Sequence, residues 1–138
     1  MKDYFLHIIK IPIQHKNEAL TELEDYYNSP KLFDRLSALV NGCICPAEIK
    51  GKRVLLKPNW VRHSLKQRDE LCLRTNDKFI ISALEVILIM KPSEVLIGDA
   101  PIQGCQWDKM ISKSFTNEIE RLSLKYKTPI KIKDFRRR

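Results

Sequence analysis

The feature that most constrains the fold is the segment from residue 51 to 61, GKRVLLKPNWV. Its three consecutive apolar residues show no alternation, which is typical of a parallel strand covered on both faces. Pro58 has no N–H to donate to a sheet, so we expect the strand to end before it. Lys57 and Asn59 therefore stand at the carboxyl end of a strand, which is where open α/β sheets bind ligands.

The rest of the chain alternates between strand and helix patterns. We predict strands at residues 4–11, 52–57, 94–98 and 129–135, and helices at residues 17–27, 30–40, 77–90 and 108–126, with a long loop at residues 58–74. From residue 52 onward the order is β-α-β-α-β, which is typical of a parallel sheet with right-handed crossovers. We expect an α/β fold, with a largely parallel sheet of three or four strands and helices on both faces. Residues 1–138 should form one domain, in which residues 1–50 add a strand and two helices to a core at residues 51–138.

Composition limits the function in a few ways. The 138 residues are 43% hydrophobic, enough for one buried core, and contain no apolar run of 18 residues. The N-terminal apolar run lacks a small-residue cleavage site, so we expect a cytoplasmic protein with no membrane partner. The net charge of +8 is uneven, since residues 51–78 carry eight Lys or Arg against three Asp or Glu. A basic surface of this kind favours anions of any type.

Three separated motifs resemble the uncharacterised family known as domain of unknown function 362. In that family a strand ends in K-P-N, a threonine-containing cap opens a helix, and a later strand ends in G-D-S or G-D-A. The matching residues here are Lys57, Pro58, Asn59, Thr75, Gly98, Asp99 and Ala100. The resemblance covers residues 50–135 and implies an α/β fold and the position of a site, without implying an activity.

The chain departs from that family pattern in three respects. Asp77 stands where members often have proline. Many members carry a ferredoxin-like module with a C-x-x-C-x-x-C cluster, whereas this sequence has no iron–sulfur cluster motif. The family domain also continues beyond the third strand of the pattern, so we expect this chain to correspond to its N-terminal part.

The motifs together predict a ligand site at the carboxyl edge of the sheet. The candidate ligand-binding residues are Lys57, Asn59, Thr75, Asp99, Arg62 and Arg74. A helix N-terminus with basic side chains beside it stabilises a phosphate or carboxylate. We therefore expect a small anionic metabolite, bound by a domain that could be part of an enzyme. The alternative is that these residues only form turns and caps.

Two other chemistries remain open. Asp99 could bind a divalent metal, with Asp77 or Asn59 as a second oxygen ligand. The four cysteines, Cys43, Cys45, Cys72 and Cys105, have an irregular spacing that favours buried, inert thiols over a structural zinc site. Cys105 would be a candidate nucleophile if His63 reached it.

The alternative class of function is a non-catalytic module that binds nucleic acid or a protein partner. The basic residues Arg62, Lys66, Arg68 and Arg74 surround Trp60 in the 58–74 loop, and three arginines end the chain. Single-strand binders combine basic grooves with stacking aromatic residues in this way. We also expect a weak, salt-promoted homodimer through an unfinished sheet edge, because an unpaired strand can be completed by another chain.

Overall fold

The computed structural model describes residues 19–65 and 73–137. The predicted strand at residues 4–11 lies outside these ranges, as do Lys66, Arg68, Cys72 and the middle of the 58–74 loop. The described helices are α1 (Ala19–Tyr27), α2 (Pro30–Cys43), α3 (Pro46–Ile49), α4 (Asp77–Ile89), α5 (Trp107–Met110) and α6 (Lys113–Tyr126). The described strands are β1 (Arg53–Leu56), β2 (Glu94–Asp99) and β3 (Ile130–Asp134).

The three strands form one parallel sheet in the order β1-β2-β3. Leu55 of β1 is aligned with Leu96 of β2, and Leu96 is aligned with Lys131 of β3. Helix α4 connects β1 to β2, and α6 connects β2 to β3. The predicted α/β fold with a parallel sheet is therefore confirmed. The predicted placement of helices on both faces is not seen in the described residues, because the crossover helices α4 and α6 pack on the same face. The predicted association through a sheet edge stays a prediction.

The main core lies between the sheet and helices α4 and α6. Val95 and Ile97 of β2 are fully buried there. They pack with Leu84 and Leu88 of α4 and with Leu122 of α6, and these apolar contacts hold the sheet and the two helices together.

Strand β1 differs from its predicted environment. We expected all of its apolar run to be covered on both faces, but only Val54 and Leu56 pack against the core. Leu55, between them, is 55% exposed. Successive side chains of a strand point to opposite faces, so Leu55 lies on the other side of the sheet.

Serine or asparagine caps begin three of the six described helices. Ser29 begins α2, and Asn76 begins α4 by accepting a hydrogen bond from the N–H of Lys78. The prediction of one continuous helix at residues 108–126 is wrong. Ser112 caps a new helix by accepting from the N–H of Phe115, so α5 and α6 are separate.

A second apolar cluster places α1 and α2 against α4. Leu32 and Leu36 of α2 pack on Val86 and Met90, with Tyr27 of α1 at the margin. This packing brings the end of α1 close to the beginning of α4. Within residues 19–65 and 73–137, no helix has the length and apolar character needed to cross a membrane.

Candidate functional site

Asp99 lies at the carboxyl edge of the sheet, where its carboxylate accepts three hydrogen bonds. Oδ1 accepts from Lys57 Nζ at 2.8 Å and from the N–H of Ala100 at 2.8 Å. Oδ2 accepts from the N–H of Trp60 at 2.7 Å. We call Asp99 with these three partners the Asp99 corner. The expectation that Lys57 and Asp99 meet at one sheet edge is confirmed.

The charge of Asp99 is stabilised in place. Burial of the carboxyl would by itself raise its pKa, but hydrogen bonds from Lys57, Trp60 and Ala100 lower the pKa below the ordinary value. The Asp99 side chain is 8% exposed, whereas that of Lys57 is 61% exposed. Asp99 is thus ionised at neutral pH and joins the two strand ends.

This geometry gives no support to a metal at Asp99. Both carboxylate oxygens already accept hydrogen bonds, and Asp77, one of the two second ligands considered above, pairs with Arg74. Across the described parts of the chain, no three His, Cys, Asp or Glu residues are grouped as a metal site requires.

Asn59 and Thr75 hold the two ends of the 58–74 segment together. The N–H of Asn59 donates to Thr75 Oγ1 at 2.8 Å, and the N–H of Thr75 donates to the carbonyl of Asn59 at 3.0 Å. The next residues, Trp60 and Arg74, form an isolated antiparallel bridge. Thr75 therefore links the two ends of the segment by hydrogen bonds, and Arg74 lies in the interior beside Trp60.

Arg74 is a buried cation with an unused donor. Its side chain is 7% exposed. Nη1 donates to the carbonyl of Met110 at 2.6 Å, and Nη2 pairs with Asp77. Nε is buried and has no hydrogen-bond partner in the described part of the chain. Buried polar groups without a partner are rare in native proteins, and each one calls for an explanation.

A cleft of about 490 Å³ opens beside Arg74, between the end of α1 and the beginning of α4. It is lined by Glu24, Asp25, Tyr27, Asn28, Ser64, Arg74, Asn76, Asp77 and Lys78. A neighbouring recess shares Tyr27, Arg74 and Asn76 with it and adds the Asn59 side of the loop. We call these two spaces together the Arg74 cleft.

Tyr27 contributes a neutral hydroxyl to the Arg74 cleft. Burial raises the pKa of its phenol above the ordinary value, so the O–H remains protonated and can donate a hydrogen bond. The sequence does not predict that Tyr27, Asn28 and Lys78 line this cleft. No local pattern marks them, because α1 reaches the cleft only through its packing with α2 and α4.

The six candidate residues thus divide into separate groups. Lys57 and Asp99 neutralise each other at the Asp99 corner, while Arg74, with Asn59 and Thr75 beside it, lines the Arg74 cleft. Arg62 is half-buried and belongs to neither group; it forms no ion pair within residues 19–65 and 73–137. The ligand-binding role of these residues stays a prediction.

Trp60 is part of the core, which corrects its interpretation as a stacking residue. It is fully buried and packs edge-to-face on Trp107, with ring centroids 5.6 Å apart, and on Phe115 at 6.1 Å. Its indole Nε1 is a second buried donor without a partner in the described part of the chain. Trp60 therefore offers no ring face to a nucleic-acid base.

The C-terminal arginines are also engaged in part. The guanidinium of Arg136 donates to both oxygens of Asp134 and to the carbonyls of Ile102 and Cys105. These hydrogen bonds lower the pKa of Asp134. Arg136 thus fixes the end of β3 to the loop after β2, while the neighbouring Arg137 remains 74% exposed.

The described cysteines are not all buried, contrary to our expectation. Cys43 and Cys45 are exposed at the junction of α2 and α3, where few apolar residues surround them, and only Cys105 is buried. His63 does approach Cys105, but through its main-chain N–H, which donates to Sγ at 3.3 Å. Its Nδ1 accepts from the N–H of Gln106. This arrangement gives the thiol no base, so no nucleophile is assigned.

No protein-family model, curated protein or solved structure matches this chain. The resemblance to domain of unknown function 362 therefore remains a prediction, and we infer a function from the geometry of the two regions at the sheet edge.

Proposed function

We propose that this chain is a small-molecule-binding α/β domain that holds an anionic group of its ligand in the Arg74 cleft. The observation that carries the proposal is the Nε donor of Arg74, which is buried, charged and without a partner among the described residues. The atom is covered in this structure, so a ligand oxygen would reach it only through a local opening of the cleft, and would then satisfy it with a charge-assisted hydrogen bond, worth about 1.5–3 kcal/mol.

Neighbouring groups add further donors to this position. The first turn of α4, capped by Asn76, carries the partial positive charge of a helix N-terminus. Tyr27, whose hydroxyl is neutral, and Asn59 line the same space. The volume of about 490 Å³ falls within the range of small-molecule sites, about 300–1,000 Å³.

The charges around the cleft limit the ligand class. Among the residues that the structure describes, two cations, Arg74 and Lys78, line the cleft together with three carboxylates, from Glu24, Asp25 and Asp77. Like-charge repulsion from these carboxylates disfavours a polyanion such as nucleic acid or a nucleoside triphosphate. Among anions, this balance least disfavours a ligand with one carboxylate or one phosphate monoester, held at Arg74, and with hydroxyl groups on the remainder.

Native mass spectrometry of the purified, untreated protein tests the proposal. We expect the wild-type chain to carry a small anionic adduct, or to acquire one when incubated with millimolar phosphorylated and carboxylated metabolites. Arg74→Lys keeps the charge but loses the planar donor fork, so the adduct should bind roughly tenfold more weakly or be lost.

Arg137→Lys is the matched control, because this arginine is 74% exposed and lies outside the cleft. It should bind the adduct as the wild type does. An adduct that both variants retain equally, or a wild-type chain that binds no member of the metabolite panel, would contradict the proposal.

A further inference from the structure

The two faces of the sheet are unequal. One face carries the alternating apolar residues that pack on α4 and α6. The other face carries the remaining side chains, which are those of Arg53, Leu55, Glu94, Leu96, Lys131 and Lys133. We call this second surface, together with Phe135, the open face.

An apolar strip runs across the open face. Leu55, 55% exposed, lies beside its register partner Leu96. Gly98 follows Leu96 on the same face, and the ring of Phe135 lies over it, since a Cβ on Gly98 would meet that ring at 2.7 Å. Phe135 is itself 36% exposed. Parallel sheets occur almost only with both faces covered, so this strip has the character of a surface that another element covers.

The charges around the strip are mainly positive. Arg53, Lys131 and Lys133 stand on the open face with one carboxylate, that of Glu94. Glu94 is already paired with Lys131 at 2.8 Å. A second copy of the chain would bring these cations against one another, so like-charge repulsion opposes self-association through this face.

We propose that the open face is a docking site for one amphipathic helix of a partner protein, with an apolar stripe flanked by Asp and Glu. Three strands about 4.8 Å apart span about 10 Å, which is close to the diameter of one helix. The apolar stripe would cover Leu55, Leu96 and Phe135, and its acidic flanks would face Arg53 and Lys133. This surface is separate from the Arg74 cleft, so the inference does not depend on the proposed function.

A matched pair of synthetic peptides tests the inference on the full chain. Both are blocked 18-residue helices with the same leucine stripe; one carries Glu on its flanks and the other Lys. Titrated into ¹⁵N-labelled protein, the Glu peptide should shift the amides of Leu55, Leu96 and Lys133. It should bind at least roughly tenfold more tightly than the Lys peptide, and the difference should shrink in high salt.

Two substitutions of exposed leucines provide the control. Leu55→Lys places a charge in the strip and should abolish binding of the Glu peptide. Leu124→Lys changes a leucine that is 79% exposed on α6, away from the sheet, and should leave binding unchanged. Circular dichroism of both variants checks that they fold.

Several results would overturn the inference. Equal binding of the two peptides would show that the partner need not be acidic. Equal loss of binding in both leucine variants would show that the peptide does not bind specifically at the open face. A concentration-dependent dimer whose interface includes Leu55 would assign the face to a second copy. Contacts from residues 1–18 of the same chain to Leu55 would show that the face is filled from within.

Discussion

The Asp99 corner and the Arg74 cleft both place a buried charge at the carboxyl edge of one sheet. Asp99 is 8% exposed and Arg74 is 7% exposed, so the two groups are nearly equal in burial. They differ in how far the chain satisfies them. Asp99 receives three hydrogen bonds from within the chain, whereas Arg74 retains a buried donor with no partner among the described residues.

This difference distinguishes a region that stabilises the fold from a region that is a candidate for ligand binding. A buried charge whose partners all come from the chain stabilises the fold and has little left to offer a ligand. A buried donor left unpaired costs about 1–3 kcal/mol of desolvation, which a ligand oxygen can recover on binding. We therefore propose that the Asp99 corner holds β1 and β2 in position and that the Arg74 cleft binds the ligand.

The largest expected effect is the loss of stability in Asp99→Asn. The amide has one acceptor oxygen, so it cannot serve Lys57 and both N–H groups that now share the carboxylate. We expect a loss of about 2–4 kcal/mol in the free energy of unfolding. Urea denaturation measures it, with Asp34→Asn, an exposed position on α2, as the control. If Asp99→Asn lowered the free energy of unfolding no more than Asp34→Asn does, the structural role of the Asp99 corner would be contradicted.

How much of this could be read from the sequence depends on the range of the interactions. The K-P-N stop after β1 and the cap before α4 are local, so they predict the strand end and the helix start correctly. The meeting of Lys57 with Asp99 follows from the parallel β-α-β order alone. Such long-range geometry is available because the carboxyl ends of adjacent parallel strands share an edge.

The rest depends on tertiary packing that no local pattern encodes. The sequence predicts that Trp60 is an exposed aromatic residue in a basic loop. The hydrogen bonds between Asn59 and Thr75 instead place the Trp60 side chain in the core. The contribution of Tyr27 to the cleft requires α1 to pack against α2 and α4. The exposure of Leu55 could not be predicted from the sequence, because an unbroken apolar run occurs both in strands covered on one face and in strands covered on both.

A smaller effect is the pH dependence of the same variant pair. The folded pKa of Asp99 lies below its unfolded value of about 3.9, so its contribution to stability is complete above the unfolded pKa. That contribution is lost as the pH falls through the folded pKa. The stability gap between wild type and Asp99→Asn should therefore be constant from pH 7 to about pH 5 and should narrow below pH 4. A gap that stays constant to pH 2 would contradict the charged state of the Asp99 corner.

The smallest effect is expected from Lys57→Gln. The lysine is 61% exposed, and solvent screens its charge, so its removal should reduce the free energy of unfolding by less than about 1 kcal/mol. The two main-chain donors to Asp99 remain in place. Thermal unfolding in low and high salt measures the change, which should diminish as salt is added. A loss as large as that of Asp99→Asn would show that the ion pair, and not the main-chain hydrogen bonds, holds the corner together.

The most direct test of the central claim is the NMR signal of the Arg74 Nε–H group while inorganic phosphate, acetate and glycerol 3-phosphate are added in turn. The burial of this donor should protect it from rapid exchange and make its resonance visible. We predict a saturable shift of the Arg74 Nε–H resonance and of the Lys78 amide with at least one of these anions. The amides of Trp60 and Ala100 at the Asp99 corner should not move. Shifts at Trp60 and Ala100 with an unchanged Arg74 signal, or no saturable shift at Arg74 with any of the three anions, would contradict the account.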